Sequence, residues 1–139
     1  MPSGNSESAP RDQASQESPP RESRVVAVVD DDVAVCDSTQ ILLEIHGFVV
    51  RTYQSGAAFL QEQPAISCLV VDYHMPGLNG LEVVAELRRR GSSIPVIMIT
   101  ARADAGIEAQ AAQLGIKKVL QKPMGTSLVS ALQEEFRED

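Results

Sequence analysis

From Val25 onward, short unbroken apolar runs alternate with longer stretches of helical periodicity, and this rhythm constrains the fold more than any other feature. Apolar runs at 25–29, 48–53, 67–71, 94–99 and 117–120 predict strands. The stretches 33–46, 56–63, 80–90, 105–114 and 126–137 predict helices. Runs such as Val96-Ile97-Met98-Ile99 are continuous rather than alternating, the mark of strands covered on both faces. Gly47, Gly91 and Gly115 stand where helices should stop, Pro64 falls in a linker, and Ser55 and Thr126 are candidate N-caps. Five successive βα units imply a parallel sheet with helices on both faces and right-handed crossovers.

Residues 1–24 have a different composition. Ser, Pro, Gln, Glu and Arg dominate from Pro2 to Arg24, with too little apolar surface to offset the entropy of ordering, so a disordered tail is expected ahead of a single domain at 25–139. The net charge of −7 argues against a general electrostatic grip on nucleic acid or an anionic membrane. No apolar stretch is long enough for a membrane span and no signal-peptide core follows Met1, so a cytoplasmic location is expected. Cys36 and Cys68 fit neither a disulfide framework nor a metal knuckle and read as reduced core thiols.

The chemistry is concentrated at the strand ends. In an open α/β sheet, ligands bind beyond the carboxyl ends of the strands, where strand order reverses. Asp30-Asp31-Asp32 follows the first strand, Asp72 the third and Thr100 the fourth, while Lys122-Pro123 lies at the end of the fifth. Gathered carboxylates repel one another unless a cation lies among them, and hard oxygen donors suit Mg²⁺, which is commonly held by one or two carboxylates together with phosphate oxygens. A carboxylate can also act as nucleophile toward phosphorus, with a hydroxyl and an ammonium neutralising the phosphoryl oxygens. Asp32, immediately before a predicted helix, reads as its N-cap. His46 reads as a helix C-terminal residue, and Arg88-Arg89-Arg90 as a solvated, dipole-complementing helix end. Gly77-Leu78-Asn79-Gly80 is a turn into a helix without dinucleotide-fingerprint spacing.

Four local patterns, Val28-Val29-Asp30-Asp31-Asp32, Val71-Asp72-Tyr73-His74-Met75-Pro76-Gly77-Leu78-Asn79-Gly80, Ile99-Thr100-Ala101 and Lys122-Pro123, together resemble the receiver domain of two-component response regulators, over residues 25–139. The resemblance implies a flavodoxin-like five-stranded parallel sheet in the order 2-1-3-4-5 with helices on both faces. It implies Asp72 as the phosphoacceptor, and a Mg²⁺ site formed by Asp30, Asp31, Asp72 and the backbone carbonyl of His74. Thr100 falls on the switch hydroxyl and Lys122 on the family's lysine, with a cis Lys122–Pro123 bond. Partners implied are a sensor histidine kinase or histidine phosphotransfer protein, an unidentified downstream protein, and a homodimer formed on phosphorylation. Direct nucleic-acid or membrane binding is not expected, and neither is an enzymatic activity beyond the domain's own phosphorylation and dephosphorylation. Two positions depart from the pattern: Val119 stands where relatives carry Tyr or Phe, and Met124 where Phe is common. Val119 cannot swing as a ring does, which points to signalling through loop movement. The side chains of His74 and Arg102 are expected to border the site and shape water access.

The rival reading is a haloacid-dehalogenase-like phosphatase with Asp30 as nucleophile, since Asp30-Asp31-Asp32 also satisfies Asp-x-Asp after a first strand. It lacks an acidic pair after Lys122 and a cap domain, and leaves Asp72-x-x-Met-Pro unexplained. A phosphate-independent pseudo-receiver is a third reading, opposed by the presence of all the site residues. Output is expected through protein contacts or phosphate shuttling if the chain is whole, or through a further module if it is part of a longer protein.

Overall fold

The computed structural model describes residues 24–137. Of the tail expected over residues 1–24, residues 1–23 lie outside the described residues, as do residues 138 and 139. Within them the elements run β1 (Val25–Val29), α1 (Val33–Ile45), β2 (Val49–Tyr53), α2 (Gly56–Glu62), β3 (Cys68–Asp72), α3 (Gly80–Arg89), β4 (Val96–Thr100), α4 (Ala105–Gln113), β5 (Lys118–Gln121) and α5 (Thr126–Glu135). All strand pairs are parallel, in the order β2-β1-β3-β4-β5.

The continuous apolar runs are explained by two cores, one on each face of the sheet. Ala27, Val29, Leu69, Val71, Val96 and Met98 face the layer made by α2, α3 and α4. Their sequence neighbours Val26, Val28, Cys68, Val70, Ile97 and Ile99 face α1 and α5. Side chains alternate across a strand, so a strand buried on both sides must be apolar at every position.

The element ends differ from the sequence reading for identifiable reasons. Asp72 and Thr100 are the last residues of β3 and β4 rather than the first residues beyond them, because both are still paired in the ladder: Asp72 opposite Ile99, and Thr100 opposite Gln121. His46 is the C-cap of α1, its ring Nδ1 3.0 Å from the Leu42 carbonyl, and Gln63 ends α2 in the left-handed region at φ 52°. Ser55 caps α2 through the Ala58 N–H. Thr126, in contrast, is not a cap. Gly125 occupies that position, without a side-chain hydrogen bond, and Thr126 is the first helical residue. Arg24, assigned to the tail from composition, belongs to the folded unit: its carbonyl accepts from Val49 N–H, and its guanidinium lies 4.4 Å from the centre of the Phe48 ring.

Arg88 also departs from the solvated reading. Its guanidinium donates to the carbonyls of Leu114 (2.7 Å), Ile94 (2.8 Å) and Ser92 (3.2 Å), tying the end of α3 to the end of α4 and to the approach to β4. Arg89 behaves as a surface helix end and pairs with Glu86, whereas Arg90 pairs with Glu86 and also donates to the Leu60 carbonyl on α2 at 3.1 Å.

Candidate functional site: an acidic pocket at the strand switch point

The sheet order reverses between β1 and β3, so the crossovers leaving these neighbouring strands diverge to opposite faces and open a crevice at their carboxyl ends. Register then decides which side chains meet there. Val29 is opposite Val71, so the next residues, Asp30 and Asp72, end adjacent strands side by side. Carboxylate oxygens of Asp30, Asp31 and Asp72 all lie within 4.8 Å of one another. Asp30 and Asp72 are buried, at 2% and 5% exposure, whereas Asp31 faces solvent.

Local hydrogen bonds fix the acids in distinct roles. Asp32 turns away from the cluster and caps α1, its Oδ1 accepting from the N–H of Ala34 at 2.9 Å and of Val35 at 3.3 Å. Its own N–H donates to Asp30 Oδ1 at 2.9 Å, which orients the Asp30 carboxylate. Lys122 reaches in from the end of β5, its Nζ 3.2 Å from Asp30 Oδ2 and 3.4 Å from Asp72 Oδ1. The Lys122–Pro123 bond is cis, as the resemblance implies. On the opposite side, Gly80 brings the start of α3 against β3: its N–H donates to Tyr73 O, and a Cβ there would sit 2.6 Å from the Asp72 carbonyl oxygen.

Burial first, and then the negative Asp30, push the Asp72 carboxyl up to about 6; the Lys122 ammonium offsets this only in part. For Lys122, burial works to lower the pKa, but the facing Asp72 and Asp30 outweigh it and raise the ammonium above its ordinary value. Two close buried carboxylates with one shared ammonium are under-neutralised. The all-oxygen donor set at this spacing fits a Mg²⁺ ion, which would relieve that repulsion. Cys36 lies beneath, its thiol donating to the Asp30 carbonyl at 3.2 Å; burial and the nearby Asp30 charge push it up to about 11, and burial pushes Cys68 to about 12. Both cysteines are buried and free, consistent with inert core thiols.

Thr100 is fully buried, and its hydroxyl bonds to Arg102, donating to the carbonyl at 3.2 Å and accepting from the N–H at 3.3 Å. Val119 is half-buried against the α2–α4 core, and Met124 packs into the opposite core. His74 and Arg102 are exposed, with the His74 ring edge-on to Tyr73 at 4.6 Å. Four polar residues with structural roles escaped the sequence reading. Asn79 and Glu82 form a reciprocal capping box on α3, legible in the Asn-x-x-Glu spacing. Asp104 caps α4 through Ile107 N–H, legible as an Asp before a helical run. Gln121 accepts from Ala103 N–H at 3.1 Å, and nothing local in the sequence signals that contact.

Comparison with known families matches the response regulator receiver domain over residues 26–133. The chain belongs to that family. This receiver is 39% identical over 112 residues to the transcriptional regulatory protein FixJ of Azorhizobium caulinodans, an alignment covering 79% of this chain and 53% of FixJ. It is 35% identical over 101 residues to the response regulator protein TmoT of Ectopseudomonas mendocina, covering 71% and 46%. The receiver therefore spans about half the length of these relatives. Among solved structures it resembles the response regulator StyR (TM-score 0.75, 33% identical, 81% of this chain and 58% of that one). It also resembles FixJ-N (TM-score 0.72, 30% identical, 80% and 90%). The receiver is thus a domain of two-component signalling. The comparisons lend the phosphatase reading no support. No helix among the described residues is long and apolar enough to cross a membrane.

Proposed function

We propose that this receiver accepts a phosphoryl group from a phosphohistidine onto the carboxylate of Asp72 and thereby switches a protein-interaction surface. The observation that most supports this reading is the convergence of Asp30, Asp31 and Asp72 under a lysine bonded to two of them, at the strand switch point of a chain matching the family over 26–133. A carboxylate oxygen of Asp72 attacks phosphorus, the P–N bond breaks, and its electron pair leaves with the imidazole of the donor. Asp30, Asp31, Asp72 and the His74 carbonyl would hold Mg²⁺, which neutralises phosphoryl oxygens when bound. Lys122 is placed to pair with one phosphoryl oxygen, giving up its contact with Asp72 as charge moves onto the phosphoryl group. Thr100 donates its hydroxyl proton to another, drawing the β4–α4 loop inward.

Reversal is hydrolysis of the acyl phosphate within the same site, with His74 and Arg102 assigned to controlling the approach of water. Donors are a sensor histidine kinase or a phosphotransfer protein in the cytoplasm; the downstream target is another protein, or a second receiver in a phosphorylation-dependent homodimer. The receiver domain is proposed as residues 25–139, with Arg24 packed against its edge and the rest of the tail outside it.

Incubation with acetyl phosphate and Mg²⁺, followed by intact-mass measurement, tests the reading. Wild type should gain one phosphoryl group, and Asp72→Asn should gain none. Label retained in Asp72→Asn but lost in Asp30→Asn would transfer the nucleophile to Asp30 and restore the phosphatase reading.

A further inference from the structure

The β4–α4 loop is tied down by two side chains, and the phosphoryl chemistry uses only one of them. Thr100 closes on Arg102 in both directions, as donor and as acceptor. One residue further on, Ala103 N–H is held at 3.1 Å by Oε1 of Gln121. Because the group facing Gln121 is a donor, the side-chain atom presented to it must be the amide oxygen. Asp104 then takes the Ile107 N–H and begins α4, so each residue from Thr100 to Asp104 other than Ala101 takes part in a specific bond. Gln121 is well placed to act on this loop. It is the register partner of Thr100 in the β4–β5 ladder, and the adjacent Lys122 N–H donates to Thr100 O at 2.8 Å. Its backbone is therefore fixed to β4 and followed directly by the site lysine, while its side chain reaches back over the loop.

We propose that Gln121 is a latch: a positioning residue whose bond to Ala103 holds the β4–α4 loop in its resting conformation against the pull of Thr100. The proposal rests on the phosphoryl-accepting reading above. The Thr100 hydroxyl has a single proton. Donating it to a phosphoryl oxygen means withdrawing it from the Arg102 carbonyl, and turning the hydroxyl also spoils its acceptance of the Arg102 N–H. Arg102 must then shift, and Ala103, its immediate neighbour, is drawn away from Gln121. With Val119 in place of a ring, the half-buried side chain at this position of β5 has no second rotameric state of comparable reach. Resistance to loop movement therefore falls on the amide of Gln121. A single exposed neutral hydrogen bond resists only modestly, which suits a switch that must be reversible.

The experiment is calorimetric titration of the full chain with fluoroberyllate in the presence of Mg²⁺, on wild type, Gln121→Met, Thr100→Val and the double variant. Methionine has nearly the length of glutamine but offers no comparable acceptor. Gln121→Met should bind fluoroberyllate more tightly by roughly two- to tenfold, the equivalent of one net hydrogen bond. The gain should disappear in the Thr100→Val background, where there is no hydroxyl to pull. In amide NMR spectra, the Ala103 resonance of wild type should move on fluoroberyllate binding toward its position in Gln121→Met, while Gln121→Glu, which keeps an acceptor, should retain the resting position. Unchanged or weakened affinity in Gln121→Met with unaltered thermal unfolding would overturn the latch. So would an equal gain in both backgrounds, or an Ala103 resonance that stays still in liganded wild type. If wild type itself fails to bind fluoroberyllate, the phosphoryl-accepting reading falls, a result distinct from any of these.

Discussion

The Lys122 ammonium lies 3.4 Å from Oδ1 of Asp72, yet the Asp72 carboxyl is still pushed up to about 6, above an ordinary aspartate. Burial and the Asp30 charge outweigh the cation, so the pocket is electrostatically short of positive charge. Replacing Lys122 by Met should raise the Asp72 pKa further, read from the pH dependence of its carboxyl ¹³C shift in Mg²⁺-free buffer. The same variant should take up phosphoryl from acetyl phosphate poorly while still folding; an unmoved Asp72 titration would show that Lys122 does not govern the nucleophile.

Stability should depend on pH through the same residue. Asp72 releases its proton near 6 in the folded chain, against 3.8 for an unperturbed aspartate. Between those values the folded state keeps the proton and the unfolded state has lost it, so stability falls as pH rises through this window and stays lower above it. The full penalty at neutral pH is about 3 kcal/mol at most. In Mg²⁺-free buffer, urea midpoints for wild type should decline from pH 4 towards pH 7 (about 4 and 7 being the limiting pH values for the two carboxyl states). Asp72→Asn should lose this component and be the more stable protein at pH 7.

Gly80 is a packing requirement of the site. An alanine Cβ there would press on the Asp72 carbonyl at 2.6 Å and crowd the Met98 side chain and Tyr73 Cα at 3.1 Å. Two of these three neighbours are backbone atoms, which yield little. Gly80→Ala should cost about 1–3 kcal/mol in denaturant unfolding. It should also displace the end of β3 enough to slow labelling of Asp72, whereas a purely local effect would leave labelling at the wild-type rate.

Arg88 should matter far more than Arg89. Arg88→Met leaves the carbonyls of Leu114, Ile94 and Ser92 without their shared donor and should destabilise by about 2–3 kcal/mol. Arg89→Met removes only an exposed, solvent-screened pair with Glu86 and should leave the unfolding free energy nearly unchanged. Equal effects at the two positions would return Arg88 to the role of a solvated helix end.

The sequence by itself determined the βα rhythm, the two-faced sheet and the residues at its rim, because these follow from local rules. Unbroken apolar runs require burial on both faces, glycine at positive φ stops helices at Gly47, Gly91 and Gly115, and Asp32 caps the helix it precedes. Strand order was legible through four short motifs and the family they resemble, and the roles proposed for the site residues rest on the same motifs. What only the tertiary structure decided were contacts between residues far apart in the chain. Thr126 is inside its helix because Gly125, at φ 50°, makes the entry turn. Arg88 is held by carbonyls up to 27 positions away, and Gln121 reaches an N–H 18 positions back. Such bonds depend on how strands register and where loops return, and neither composition nor periodicity encodes the distance between two loops. The acids that could gather a cation are visible in the chain, but what restrains the loop beside them is set by a fold that lays β5 against β4.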